Sequence, residues 1–263
     1  MIVETLSSGS SGNCTLVAEG NSRVLIDAGI SYRKVMQGLS ELGLSVSDID
    51  AVLMTHEHKD HVKGLGVLER KRCIPVYGTA RTIAAVRADS SLGRMPEDIF
   101  CPIEADTSFT LGELTFRPFG IDHDAADPVA YRIETSERKA AVVTDLGTYN
   151  DYTIRNLSGL DAILLEANHD VRMLEAGPYP YQLKQRIRSD RGHLSNEAAG
   201  ELLAKIAHEG LKKAMLGHLS KENNMSELAA LTVRQTLEDK APGCTDIRLA
   251  VAPREKISVV MEI

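Results

Sequence analysis

The stretch Ala51-Val52-Leu53-Met54-Thr55-His56-Glu57-His58-Lys59-Asp60-His61 governs how this chain is understood. Its first four residues form an uninterrupted apolar run, as expected of a buried strand. Its last six carry three imidazoles and two carboxylates, those of Glu57 and Asp60. Imidazole and carboxylate together are the donors of Zn, Mn and Fe sites. His56 and His58 are two residues apart, so on a helix their rings would point to different sides. The His56-Glu57 pair is therefore not the start of a helical H-E-x-x-H zinc site. In a loop at a strand end both rings can converge on one ion, and a helix starting near Asp60 would turn Asp60 and His61 toward a second. The competing interpretation is a solvated charged loop. Further donors at later strand ends weigh against it: His123 after the run 114–121, Asp145 after 140–144 and His218 after 214–217. Sheets commonly gather functional groups at strand ends in this way.

The remainder of the 263 residues suits one sizeable core, so a single domain over 1–263 is expected. Strand-like runs occur at 2–6, 14–18, 24–26, 51–54, 76–77, 114–116, 130–133, 140–143, 162–165, 214–216, 247–252 and 257–263. Ser7-Ser8-Gly9-Ser10-Ser11-Gly12 joins the first two as a tight glycine turn. A helix is predicted over 196–208, with Ser195 as N-cap, Glu197 in its first turn, an apolar stripe of Ala198, Ala199, Leu202, Leu203 and Ile206, and Gly210 to end it. Another is predicted over 226–238. Strands with helices between them mean sheets inside and helices outside.

Composition excludes some classes. No apolar run approaches the ~20 residues of a membrane-spanning helix, and the N-terminus shows no basic-then-apolar leader. Cys14, Cys73, Cys101 and Cys244 are scattered, with no C-x-x-C pair. Disulfides are not expected in such a chain, which places it in the reducing cytoplasm with each thiol as a small buried hydrophobe. The net charge of −7 and pI near 5.7 argue against a surface coated in positive charge for nucleic acid. They leave room for a local basic groove.

Asp27, His56-x-His58-x-Asp60-His61, His123, Asp145 and His218 resemble, in order, the signature of the metallo-β-lactamase superfamily, and the resemblance runs over essentially the whole chain. It implies an α/β fold, a four-layer αββα sandwich with the site at one edge of two sheets. It also implies two divalent metal ions: His56, His58 and His123 would hold one, Asp60, His61 and His218 the second, and Asp145 would bridge them. Asp27 would sit behind the ligands and orient them. Two such ions lower the pKa of a bridging water from about 16 towards 7, so hydroxide is the expected nucleophile and no serine or cysteine is needed.

The superfamily fold does not fix the substrate. Arg191-Gly192-His193-Leu194-Ser195-Asn196 resembles the G-H-[ST] loop of the phosphodiesterase branch, in which His193 would stabilise the transition state or protonate the leaving oxygen. The helix start beside it suits a phosphate. Upstream, Lys184, Arg186, Arg188 and Arg191 stand against the single acid Asp190, with Tyr179 and Tyr181 nearby. That pattern fits a nucleic-acid backbone with a base to stack, or a solvated helix face.

The chain is most similar to the YycJ/WalJ group of bacterial DNA exonucleases. The matching pieces are Ser8-Gly9-Ser10-Ser11-Gly12-Asn13, residues 55–64, His123-Asp124-Ala125, Thr144-Asp145-Leu146-Gly147, Asn168-His169-Asp170, Gly192-His193-Leu194-Ser195-Asn196 and residues 217–224. Membership would imply 5′-to-3′ degradation of duplex DNA, with Asn168 and His169 near the substrate or behind the ligands. Only 47 residues separate Asp145 from His193. That leaves no space for the large inserted domain of the superfamily's mRNA- and DNA-end-processing nucleases, and no clear Gly/Pro-rich arm like that of the tRNA ribonuclease is evident. The alternatives are a small-molecule hydrolase acting on a cyclic or nucleotide phosphodiester or a lactone, and a non-enzymatic metal or nucleic-acid binding module.

Overall fold

The computed structural model describes residues 1–244, 246–254, 256–258 and 261–263. The first half of the chain runs β1 (Ile2–Ser7), β2 (Cys14–Glu19), β3 (Ser22–Ile26), α1 (Tyr32–Glu41), β4 (Ala51–Leu53), α2 (Lys59–Val62), α3 (Leu65–Arg72), β5 (Val76–Thr79), α4 (Ala80–Ala88) and β6 (Phe100–Ile103). The second half runs β7 (Phe109–Leu111), β8 (Leu114–Gly120), β9 (Val129–Glu134), β10 (Lys139–Val143), α5 (Asp151–Leu157), β11 (Ala162–Glu166), α6 (Val171–Ala176), α7 (Tyr181–Arg188), α8 (Asn196–Ile206), β12 (Lys213–Gly217), α9 (Ser226–Lys240), β13 (Arg248–Val251) and β14 (Met261–Glu262).

Two seven-stranded sheets result, ordered β14-β1-β2-β3-β4-β5-β6 and β13-β12-β11-β10-β9-β8-β7. Each has an antiparallel part and a parallel part. In the first, β3 to β6 are parallel; in the second, β10 to β13 are. The period-2 alternation of side chains builds the layers. On β4, Ala51 and Leu53 face the other sheet, where they join Leu114, Phe116, Tyr131, Val142 and Leu164. Val52 and Met54 face outward, onto Val35 and Leu39 of α1 and Leu65 and Leu68 of α3. On β11, Ala162 and Leu164 point between the sheets, and Ile163 and Leu165 point outward onto Leu202 and Leu203 of α8 and Val233 of α9. Helices therefore cover the outer face of each sheet, giving the αββα order. Parallel strands buried on both faces are apolar throughout, which is why β4, β10 and β11 stand out in the sequence.

Several boundaries differ from expectation. Strands β6 and β7 were not anticipated: Pro102 interrupts the first and the second is only half-buried. Strand β8 continues to Gly120, well past residue 116. Helix α8 stops at Ile206, with Ala207 as its C-cap, so Gly210 does not end it, and α9 continues to Lys240. Of the run 257–263 only Met261–Glu262 is strand, and Val259 and Val260 lie outside the described residues. All four cysteines are free, but only Cys14 is buried and Cys73 is exposed. Cys73 occupies the left-handed C-cap of α3 (φ 52°), a position at a helix end that faces water. No helix among the described residues is long and apolar enough to cross a membrane.

Candidate metal centre

The parallel strands end along one edge, and the residues that follow them meet there. Asp27 follows β3, His56 lies beyond β4, Asp145 beyond β10, and His218 follows β12. Asp27, Asp145 and His218 adopt left-handed backbone (φ 62°, 58° and 55°). Non-glycine residues pay about 1–3 kcal/mol for such conformations, which persist where the surrounding structure demands a particular side-chain direction. Here the turn swings each side chain into one cluster. His58 is the N-cap of α2, and Asp60 and His61 lie on its single turn.

Hydrogen bonds fix which ring nitrogen each imidazole presents. Thr55 donates its hydroxyl to Asp27 (2.9 Å to Oδ2), so the Nδ1 of His56, 3.0 Å from that hydroxyl, is the donor and Nε2 keeps the lone pair. His61 Nδ1 lies 2.7 Å from Asp27 Oδ2, and His123 Nδ1 3.1 Å from the Gly192 carbonyl. His218 Nδ1 lies 2.7 Å from Glu166 Oε1. All four rings thus turn Nε2 inward, held by acceptors that set tautomer and orientation.

The donor atoms form overlapping groups, among them His56–His61–Asp145, Asp145–Glu166–His193–His218 and two three-residue sets at either end of the cluster. One ligand atom each from His56, His58 and His123 lie within 4.8 Å of one another, and so do those of Asp60, His61 and His218. Asp145 lies between them, with Oδ2 3.0 Å from His61 Nε2 and Oδ1 3.6 Å from His123 Nε2. Among the described residues the buried Nε2 of His56 has no hydrogen-bond partner, and Asp145 Oδ2 has only the His61 Nε2 contact. Buried polar atoms are otherwise nearly always paired. A free imidazole nitrogen and a carboxylate oxygen that meets only another inward nitrogen, in the middle of imidazoles and carboxylates, fit divalent cations.

Electrostatics support the same conclusion. Burial drives His56 well below the ordinary imidazole value, neighbouring imidazoles adding to it, so it offers a free lone pair. His218 would also be lowered by burial, but Asp145, Asp60 and Glu166 overcome this and hold it at about 10. His61 is likewise raised well above the ordinary value, because Asp145, Asp27 and Asp60 outweigh its burial. Without a metal this half of the site is held together by protons that a cation would have to displace.

Glu166 was missed in the sequence. It ends β11 fully buried, and burial would raise its carboxyl, yet His193 and His218 hold it down at about 2. Its Oε1 lies 2.9 Å from His193 Nδ1, and its Oε2 accepts from the backbone N–H groups of Leu146 (2.9 Å) and Leu194 (3.2 Å). The only signal was an acid closing a strand of four apolar residues. His193 Nδ1 also lies 3.6 Å from Asp145 Oδ1, its side chain 15% exposed, and with Nδ1 held by these carboxylates Nε2 is the free ring nitrogen.

The other expected substrate residues are placed as follows. Asn168 donates to the His218 carbonyl (3.0 Å). The His169 ring is buried, burial lowers it to about 4, and its Nδ1 has no hydrogen-bond partner among the described residues. On α7, Arg186 grips both oxygens of Asp124, next to His123. Arg188 pairs with Glu175 (2.8 Å), and Lys184 donates to the Glu175 carbonyl (2.7 Å). Arg191 is exposed. The positive charge of this stretch is thus partly matched by acids from other segments.

The beta-lactamase superfamily domain model matches residues 22–219. The chain is 40% identical over 238 residues to the exodeoxyribonuclease YycJ of Bacillus anthracis, covering 90% of this chain and 89% of that one. It is also 40% identical over 228 residues to the exodeoxyribonuclease WalJ of Streptococcus pneumoniae, covering 87% and 85%. The crystal structure of Zn²⁺-bound PqqB from Methylobacterium extorquens superposes over the full length of both chains with a TM-score of 0.78 at 20% identity, a likeness of fold. The αββα layers, the ligand cluster at the sheet edge and these matches lead to one conclusion: the chain belongs to the metallo-β-lactamase superfamily, in the YycJ/WalJ group.

Proposed function

We propose that this protein is a two-metal phosphodiesterase that degrades duplex DNA from the 5′ end and works in the cytoplasm. What carries the reading is the meeting of two three-ligand sets at Asp145 with His193 beside them. The carboxylates of Asp27, Asp60, Asp145 and Glu166 would balance the charge of two divalent ions. DNA as substrate is supported by what the two 40% identical relatives are called. The four free thiols support the compartment.

In this reading His56, His58 and His123 hold one ion and Asp60, His61 and His218 the other, with Asp145 between; Zn, Mn and Fe all suit these donors. Bound ions would activate water near neutral pH and offset charge on the phosphate. The chain's own residues do the rest. Asp27 and Glu166 hold the imidazoles in register. His193, its Nδ1 on Glu166, is held above the ordinary imidazole value by that carboxylate and Asp145 against the effect of burial. It is then able to give a proton from Nε2 to the leaving oxygen. Arg186, Arg188, Lys184 and Arg191 would flank the backbone of the incoming strand.

The pairing of Arg186 with Asp124 and Arg188 with Glu175 favours a second reading, a small phosphodiester as substrate, because less free charge is left for a polyanion. The test is Asp60→Ala, with metal content and cleavage measured together. The expected result is loss of one ion and of DNA cleavage in a folded protein. Full activity after complete removal of metal would overturn the assignment.

A further inference from the structure

The loop between β1 and β2 is built around the Asp60–His61–His218 set. The backbone N–H of Asn13 donates to the Asp60 carbonyl (2.7 Å), the N–H of Gly29 donates to the Asn13 carbonyl (2.7 Å), and the Ser8 hydroxyl oxygen accepts from the N–H of His218 (2.9 Å). Gly29 is required by this closeness, since a Cβ there would collide with the Asp60 carbonyl. The Asn13 side chain is buried and fixed at both ends. Its Oδ1 accepts from the Gly9 N–H (2.9 Å), which leaves Nδ2 facing His61 Nε2 at 3.0 Å and the Asp60 carbonyl at 3.4 Å.

That geometry leaves a donor in need of an acceptor. His61 commits Nδ1 to Asp27, so Nε2 is the atom turned toward the ion site. A lone pair given to a cation cannot also accept a hydrogen bond, and a protonated Nε2 cannot accept one either. Among the described residues the one other acceptor is the Asp60 carbonyl, at the long limit of a hydrogen bond. A buried donor left unpaired is costly, and this one is rigidly aimed into the centre.

We propose that Asn13 is a substrate-binding residue whose amide N–H donates to a non-bridging oxygen of the phosphate being cut, on the Asp60–His61–His218 side. The inference rests on the two-ion reading. A fixed donor placed where negative charge grows is worth roughly 10²–10³ in rate in comparable sites. The Oδ1 contact with Gly9 serves the loop, whereas the Nδ2 side serves the substrate, so the two ends of one amide can be tested separately.

The test compares Asn13→Ala and Asn13→Asp with the wild type, all loaded with metal, using inorganic phosphate as the probe. Asn13→Asp keeps the acceptor for Gly9 and lacks the donor; Asn13→Ala lacks both and adds no charge. Both are expected to take up ions no more weakly than the wild type, to bind phosphate about tenfold or more weakly and to cleave duplex DNA about 10²–10³ times more slowly. Wild-type phosphate affinity in both variants overturns the proposal. So does a loss seen only in Asn13→Asp, which would be a charge effect, or a joint loss of ions and phosphate, which would be a structural one. If Asn13→Ala does not fold, wild-type phosphate affinity in Asn13→Asp overturns it alone. A wild type that takes up only one ion overturns the two-ion reading and this inference with it.

Discussion

Oε1 of Glu166 lies 2.7 Å from Nδ1 of His218, and the same oxygen reaches His193 Nδ1 at 2.9 Å. One carboxylate at the end of β11 therefore sets the orientation of a proposed ligand and of the proposed acid. Four donors converge on it, two imidazoles on one oxygen and two backbone N–H groups on the other.

Glu166→Gln replaces one of those acceptors with a donor, so two of the four contacts become repulsive whichever way the amide turns. The expected result is about 10- to 100-fold weaker metal binding or activity, measured by metal titration and by cleavage. Unchanged metal affinity would mean that His218 needs no such support.

His193→Ala should lower the rate on DNA by roughly 10²–10⁴ while leaving metal content intact. A leaving group that departs without a proton needs no acid, so cleavage of a nitrophenyl phosphodiester should suffer far less. Equal losses on both substrates would assign His193 to binding or structure instead.

Metal uptake should release protons. In the metal-free protein His218 sits at about 10 and His61 well above the ordinary value, so both are charged at neutral pH and must become neutral to bind a cation. Calorimetric titrations in buffers of different ionisation enthalpy should give different apparent heats. Affinity should strengthen as pH rises from 6 to 8. Buffer-independent heats would contradict the assigned ligands.

Glu69, on α3, predicts a pH dependence of stability away from the site. Burial raises its carboxyl to about 7, Oε2 accepts from the Ile74 N–H (2.8 Å), and Oε1 is buried without a partner among the described residues. The folded state therefore binds its proton more tightly than the unfolded chain. That contribution is fully present below about 4.5 and is lost as pH rises through about 7. Glu69→Gln should stabilise the protein at pH 8 by about 1–3 kcal/mol and have less effect at pH 5, as read from denaturant midpoints at the two values.

Legibility in the sequence followed locality. His56, His58, Asp60 and His61 fall within one short loop after an apolar strand, so the pattern itself announces them. Asp145 and His218 follow equally apolar strands. Glu166 follows one too, but a lone acid at a strand end looks like the start of a solvated turn, and only tertiary contact with His193 and His218 reveals its place. For the basic stretch around α7 the sequence showed the cations but not their partners: a local count of charge cannot see that Asp124 and Glu175 arrive from other segments. The glycine and serine loop before β2 looked like a plain turn because its partners, Asp60 and His218, lie far along the chain. Strands β6 and β7 were hidden by Pro102 and by partial exposure, which blur the alternation that marks a strand.

The most direct test of the central claim is a time course on linear duplex DNA labelled at its 5′ ends, with Mn²⁺ added and a chelator control. The account predicts early release of labelled mononucleotide, abolished by the chelator. Intact DNA, with a small chromogenic phosphodiester cleaved under the same conditions, would contradict it.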